Sequence, residues 1–154
     1  MSFASVQRKA NMSKELATAM TMPYKKIALT VVFAWFFVGG IGHFLAPDFF
    51  LKIVPPNFPL RIQSVYISGF FEIIGALGLL FVKLRRTAGI GLMALTIAVT
   101  PANIYMWLNA ELFPSTPEIL LSLRLVLQSI LLWLIWWATR PPLSYPGSAN
   151  NAAE

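Results

Sequence analysis

The chain has 154 residues, of which 57% are hydrophobic and 12% are charged, and its net charge is +6. Soluble domains carry about twice that share of charged residues, so this chain has too little polar surface to cover a water-soluble globule. It contains no cysteine and one histidine, which excludes disulfides, thiolate metal sites and sites built from several imidazoles of one chain. We therefore expect an integral membrane protein without a metal site.

Four apolar stretches follow one another along the chain and predict an all-α transmembrane four-helix bundle. Each has close to the ~20 residues that a helix needs to cross ~30 Å of hydrocarbon. Only helices or closed barrels can cross, because backbone polar groups find no water there, and these runs are too long for barrel strands. The predicted helices cover residues 27–45, 64–82, 87–108 and 119–139, within one domain of residues 27–139.

The remaining segments are polar or rich in turn-forming residues. Residues 1–26 predict a basic cytoplasmic tail that is flexible or lies on the membrane surface, because Glu15 and the lack of a cleavage site argue against a targeting peptide. Residues 46–63 mix prolines with large hydrophobic residues, which indicates a short interfacial helix or lid, or alternatively a loop packed on the rim of the bundle. Residues 140–154 predict a disordered tail.

The basic residues are distributed unevenly over the two sides of the predicted bundle. Nine lie on the side of the termini and two, Lys52 and Arg61, lie on the other side. This bias predicts that both the N- and the C-terminus are cytoplasmic in a multi-pass protein, with the bacterial inner membrane as the default. The positive charge then marks topology and contact with lipid headgroups, and it gives no reason to expect a nucleic-acid partner. The nine residues are Arg8, Lys9, Lys14, Lys25, Lys26, Lys83, Arg85, Arg86 and Arg140.

Polar residues inside the predicted helices are the candidate ligand-binding residues. Ionisable groups within a membrane span are costly and often mark functional sites. At 1.5 Å per residue, the polar groups of all four helices fall in the outer half of the membrane. Helices two and four should be diagonal, so we expect a Glu72–Arg124 pair across the axis, beneath a pocket capped by residues 46–63. The set is His43, Glu72, Asn103, Tyr105, Arg124 and Gln128.

Two uses of this polar layer stay open from the residues alone. It could form a binding pocket, with Asn103 or Gln128 bonded to the Glu72–Arg124 pair. It could instead be a polar clasp that only fixes how the helices pack, although the layering and His43 at the mouth favour the pocket. The pattern assigns no catalytic residue, so whether the protein is an enzyme stays open.

The order and spacing of several short motifs resemble the DoxX-like family of small four-helix membrane proteins over residues 27–139. The resemblance implies a four-helix membrane fold and a link to redox function, since the family is named after a subunit associated with a thiosulfate–quinone oxidoreductase. The matching motifs are Gly42-His43-Phe44, Ser68-Gly69 with Glu72, Arg85-Arg86, Pro101-Ala102-Asn103 with Tyr105, and Arg124 with Gln128.

Together these observations predict a redox-associated subunit that binds a quinone-like or other small lipophilic molecule. No covalently bound cofactor is expected, a quinone is the cofactor that this hypothesis suggests, and electrons would come from a partner. One alternative is a non-enzymatic subunit or assembly factor of a larger membrane complex. Another is a small transporter or proton pathway, which the lack of inverted repeats disfavours. The expected partners are membrane lipids, protein subunits of a complex, or further copies of the chain.

Overall fold

The computed structural model describes residues 3–114 and 116–140, and within these ranges its regular elements are helices. This confirms the predicted all-α class. The predicted disordered tail begins at residue 140. Its remaining residues, 141–154, lie outside the described residues. The elements are α1 (Phe3–Leu45), α2 (Pro47–Ile53), α3 (Arg61–Leu80), α4 (Arg85–Leu108), a 3₁₀ turn (Ala110–Leu112) and α5 (Glu118–Thr139).

Four of these helices are long and apolar enough to cross a membrane, as predicted. No more than 28% of the apolar window of any of them is buried within the protein. An apolar exterior of this extent is stable in an apolar surrounding and not in water. The candidate spans are Pro23–Leu45, Arg61–Leu80, Arg85–Leu108 and Glu118–Thr139.

The four long helices form a ring in which every neighbour is antiparallel. Helix α1 packs against α3 and α5, and α4 packs against the same two helices. Helices α3 and α5 are therefore diagonal, which confirms the predicted arrangement. We call one end of the ring the basic end; it holds Lys25, Lys26, Lys83, Arg85, Arg86 and Arg140.

Helices α1 and α3 approach each other closely at Gly40 and Gly69. A Cβ atom added to Gly69 would lie 2.9 Å from the carbonyl oxygen of Gly40, and one added to Gly40 would lie 2.9 Å from that of Gly69. The two backbones thus touch directly, as small residues permit in packed membrane helices. Because the two helices are antiparallel, this contact sets His43 of α1 against Gly69 and Glu72 of α3 against Gly39 and Gly40.

Two apolar clusters fill the bundle, and the polar residues lie between them. The larger cluster lies toward the basic end and the smaller one beneath α2, at the opposite end. Close packing at both levels fixes the depth of the polar layer between them. The larger cluster contains Val32, Phe36, Ala76, Leu79, Leu92 and Ile135, and the smaller one Ile53, Met106 and Leu121.

Helix α1 begins at Phe3, well before the predicted start at residue 27. Residues 3–22 of the predicted tail are therefore helical and not flexible, whereas the position of the tail on the cytoplasmic side stays a prediction. The physical reason is local, because these residues contain neither glycine nor proline and are rich in good helix formers. Pro23 lies inside the helix and removes one backbone donor without ending it.

The segment before α3 contains the predicted short helix, α2, and it packs on the rim of the bundle. Ile53 is buried in the smaller apolar cluster. Arg61 holds the end of α2, because its Nη2 donates to the carbonyl oxygens of Leu51 and Val54, each at 2.9 Å. These carbonyls lie at the C-terminal end of α2, where that of Leu51 also accepts from the backbone N–H of Val54 at 3.3 Å.

Arg61→Gln should loosen α2 without disturbing the four long helices. Charge-assisted hydrogen bonds contribute about 1.5–3 kcal/mol each when partly buried, and both would be lost. We expect faster hydrogen–deuterium exchange over residues 47–54, with exchange in α3 and α4 unchanged. Lys52→Gln is the matched control, since Lys52 is exposed on the same helix. Equal exchange in both variants would contradict the role given to Arg61.

Candidate functional site

A cavity of about 700 Å³ lies inside the ring at the level of the polar layer. All four long helices and α2 contribute to its lining. Its polar lining residues are Glu72, Thr96, Asn103, Arg124 and Gln128. Its apolar lining residues are Ala34, Trp35, Phe36, Val38, Gly39, Phe50, Val99, Leu127 and Leu131.

Hydrogen bonds join α4 to α5 along one wall of this cavity. Gln128 Nε2 donates to the carbonyl oxygen of Thr96 at 3.2 Å and also bonds to Thr100 Oγ1. Gln128 Oε1 accepts from Asn103 Nδ2 at 2.6 Å. Both ends of the Gln128 amide are therefore satisfied, and the side chain of Asn103 is fixed with its oxygen toward Arg124.

Arg124 is poorly satisfied by its protein neighbours. Its Nη2 donates to Asn103 Oδ1 at 3.5 Å, and its Nη1 approaches Met106 Sδ at 3.6 Å. The first distance is at the outer limit of a hydrogen bond, and a thioether is a weak acceptor. Because a guanidinium has five N–H donors, most of the donor capacity of Arg124 is left for a molecule in the cavity.

Glu72 faces the same cavity from α3 and has His43 as its neighbour. The distance from His43 Nε2 to Glu72 Oε1 is 4.0 Å, and the two side chains are 10% and 14% exposed. The ring of Phe50 from α2 stands edge-on to His43, with ring centroids 3.8 Å apart. His43 thus lies behind Glu72 and Phe50 and does not itself line the cavity.

The predicted direct pair of Glu72 and Arg124 is not formed. Both residues line the cavity. Among the residues that the structure describes, the one contact within 4.0 Å between a carboxylate and a basic side chain is that of Glu72 with the imidazole of His43. The reason is the diagonal position of α3 and α5, because the cavity itself lies between the two side chains. A cation and a carboxylate therefore face each other across open space.

Tyr105 does not belong to the cavity, although the sequence suggested it for the site. It follows Asn103 by two positions, which is about 200° around a helix. Asn103 lines the cavity, and a residue two positions later falls on another face of α4. The structure thus brings Glu72, Asn103, Arg124 and Gln128 together, keeps His43 directly behind them, and leaves Tyr105 outside.

Sequence reasoning missed Thr96 and Thr100, whose carbonyl and hydroxyl oxygens accept hydrogen bonds from Gln128 Nε2. A signal for them exists, because Thr96, Thr100 and Asn103 recur at the i, i+4, i+7 spacing of one helix face. The apolar lining residues, such as Trp35 and Leu127, carry no such signal. Within an apolar span, nothing distinguishes a residue that faces a cavity from one that faces lipid.

The cavity opens between α1 and α5. The glycine contact closes the wall between α1 and α3, and the hydrogen bonds of Gln128 close the wall between α4 and α5. Lining residues of α1 and α5 are also exposed at the surface: Trp35 is 56%, Val38 68% and Leu127 40% exposed. The mouth therefore lies on the apolar outer side of the ring.

A second groove of about 750 Å³ lies on the outer side of α3 and α4. Its lining runs from Phe71 to Ala98 and is apolar except for Thr87. Binding sites for small molecules usually combine apolar walls with a few polar groups that orient the ligand. The inner cavity has such groups and the outer groove lacks them, so the inner cavity is the candidate site.

Helices of membrane-spanning length around a polar inner cavity define a helical bundle of membrane type. Residues 29–140 match the family model described as Domain of unknown function (DUF8561), and the chain belongs to this family. The match includes every residue that lines the cavity. No curated protein and no solved structure matches the chain significantly.

Proposed function

We propose that this protein binds a small lipophilic molecule with a polar head in its inner cavity, within a membrane. The observation that carries the proposal is the lining, in which apolar side chains surround an under-satisfied cation and a carboxylate on opposite walls. A quinone-like compound would match this lining, because it joins hydrogen-bonding oxygens to an apolar ring and tail. Such a ligand would give the protein a redox-associated role.

The two charged groups suit a ligand that carries both an acceptor and a donor. Arg124 would donate to a carbonyl or anionic oxygen, and charge-assisted hydrogen bonds of this kind are among the stronger ones. Glu72 would accept from a hydroxyl group on the other side of the ligand head. Asn103 is held by Gln128 and supports the position of Arg124.

The position of the mouth supports entry from the lipid phase. Trp35, Val38 and Leu127 line the cavity and are exposed on the apolar side of the ring. A lipophilic molecule dissolved in the bilayer would reach this mouth without crossing water. Phe50 of α2 lies against the cavity from the end opposite the basic end, where it would limit access from the aqueous phase.

The charge distribution supports an orientation with both termini in the cytoplasm, and a bacterial inner membrane fits the same pattern. The basic end carries six basic residues, and the opposite end carries Lys52 and Arg61. The resemblance of the same helices to DoxX-like proteins favours a partner subunit that supplies electrons. No feature of the cavity requires the protein to carry out the electron transfer alone.

Native mass spectrometry of the protein, extracted gently from its own membrane, tests the proposal. We expect a bound lipophilic molecule of low mass that is retained by the wild type and lost from Arg124→Gln. A short-chain benzoquinone added to the lipid-free protein should bind in its place. If no such molecule is retained and the benzoquinone binds both proteins equally, the proposal is wrong.

A further inference from the structure

Lys25 of α1 and Arg140 at the end of α5 form a contact at the basic end of the α1–α5 surface. Lys25 Nζ donates to the carbonyl oxygen of Arg140 at 3.2 Å. The same ammonium group lies 6.0 Å from the centre of the Trp137 ring. The guanidinium carbon of Arg140 lies 3.4 Å from the centre of the Trp136 ring. The two cations are therefore held in place by a backbone carbonyl and two indole rings.

Neither cation is neutralised by a carboxylate among the residues that the structure describes, where the one contact between a carboxylate and a basic side chain is that of Glu72 with His43. The surrounding charges have the same sign, because Lys26, Lys83 and Arg86 lie at this end too. Stacking on Trp136 uses the flat face of the guanidinium and leaves its in-plane N–H donors free. Lys25 keeps two of its three donors. The arrangement therefore attracts an anion with several acceptor oxygens.

We propose that Lys25 and Arg140, with Trp136 and Trp137 beside them, bind the phosphate group of an anionic phospholipid. We expect the phosphate to belong to a lipid and not to a free anion, because the helical turns between these cations and the middle of the bundle are apolar and exposed. Ile27 is 61%, Val31 50% and Trp133 57% exposed. An acyl chain can lie along them while the phosphate contacts the cations. Tryptophan rings are typical of this interfacial level in membrane proteins.

This site is separate from the inner cavity. Lys25 and Arg140 each lie nine residues from the nearest cavity-lining residue of their helix, Ala34 and Leu131, which is about 14 Å along a helix axis. The phospholipid would therefore contact the outside of the bundle, and its binding does not depend on the identity of the cavity ligand. Failure of one proposal leaves the other unaffected.

The test uses the full chain in nanodiscs of phosphatidylcholine with a minor fraction of phosphatidylglycerol. Native mass spectrometry after release from the nanodisc reports which lipids stay bound. We expect preferential retention of phosphatidylglycerol by the wild type. Lys25→Gln and Arg140→Gln should each lower that preference roughly fivefold, and the double variant roughly thirtyfold. Lys25→Arg keeps the charge and should restore most of the preference.

Lys52→Gln is the matched control, because Lys52 is an exposed lysine at the opposite end of the bundle, and it should retain phosphatidylglycerol like the wild type. An equal loss of phosphatidylglycerol retention in this control would show a general effect of charge and would overturn the proposed site. Unchanged retention in the double variant would also overturn it. Inorganic phosphate should not displace the lipid, and displacement would show a site for a free anion instead.

Discussion

Gly69→Ala should destabilise the protein strongly, by about 3 kcal/mol. The added Cβ atom would lie 2.5 Å from the Cβ of His43 and 2.9 Å from the carbonyl oxygen of Gly40. Neither neighbour is the end of a flexible side chain, so α1 and α3 would have to move apart. Because His43 and Glu72 lie in the adjacent turns, the same displacement would disturb the polar layer. Unfolding of the purified protein by denaturant or heat in detergent measures the loss.

Gly91→Ala is the matched control for this substitution. Gly91 is also a helical glycine, but apart from its chain neighbours and the backbone of its own helix no atom lies within 4 Å of a Cβ added there. Alanine is a better helix former than glycine by about 1 kcal/mol, so this variant should be as stable as the wild type or slightly more stable. If both alanine variants lose the same stability, the close approach at Gly40 and Gly69 does not limit packing.

The four long helices could be predicted from the sequence because their signal is local. A run of apolar residues of membrane-spanning length needs no knowledge of its neighbours, and three of the four predicted starts lie within three residues of the observed ones. The start of α1 at Phe3 could not be found in this way. The extension over residues 3–22 has no apolar run of membrane-spanning length, so its helicity rests on propensity, which is a weaker signal than hydrophobic length.

The sequence predicts most residues of the candidate site but not which of them contact one another. Glu72, Asn103, Arg124 and Gln128 stand out because polar groups are rare in apolar spans, and depth along each helix places them in one layer. Which of them touch depends on helix rotation and on the space between α3 and α5, which one-dimensional spacing does not contain. For the same reason one-dimensional spacing places Tyr105 in the site and predicts direct contact between Glu72 and Arg124, neither of which the structure shows.

The polar layer has two parts. One part, around Gln128, packs the helices together, and the other, Arg124 and Glu72, lines the cavity. Gln128 has its donors and its acceptor bonded to Thr96, Thr100 and Asn103, so it fixes α5 against α4. Arg124 and Glu72 have long contacts and face the cavity. Polar groups that are bonded fully to protein contribute to packing, whereas groups left with free capacity are available to a ligand. Gln128 therefore acts as the clasp, and under the proposed function Arg124 and Glu72 would make the ligand contacts.

This division predicts opposite phenotypes for neighbouring residues of α5. Arg124→Gln should weaken binding of a short-chain benzoquinone by about 2 kcal/mol, or roughly thirtyfold in Kd, because a charge-assisted hydrogen bond is lost. Its effect on unfolding should be small, since its contacts to Asn103 and Met106 are long. Gln128→Leu should instead lower the free energy of unfolding by about 1–2 kcal/mol, because Asn103 Nδ2 then loses its acceptor. Binding assays and unfolding curves in the same detergent separate the two effects.

Arg86→Gln controls for the loss of one positive charge, because Arg86 is exposed at the basic end and distant from the cavity. It should leave both benzoquinone binding and unfolding unchanged. An alkylbenzene without oxygen atoms should bind wild type and Arg124→Gln equally, since it offers no acceptor to the guanidinium. If Arg124→Gln destabilises the fold as much as Gln128→Leu and leaves benzoquinone binding intact, the whole polar layer is a packing device. The inner cavity would then lack the ligand contact that we assign to Arg124.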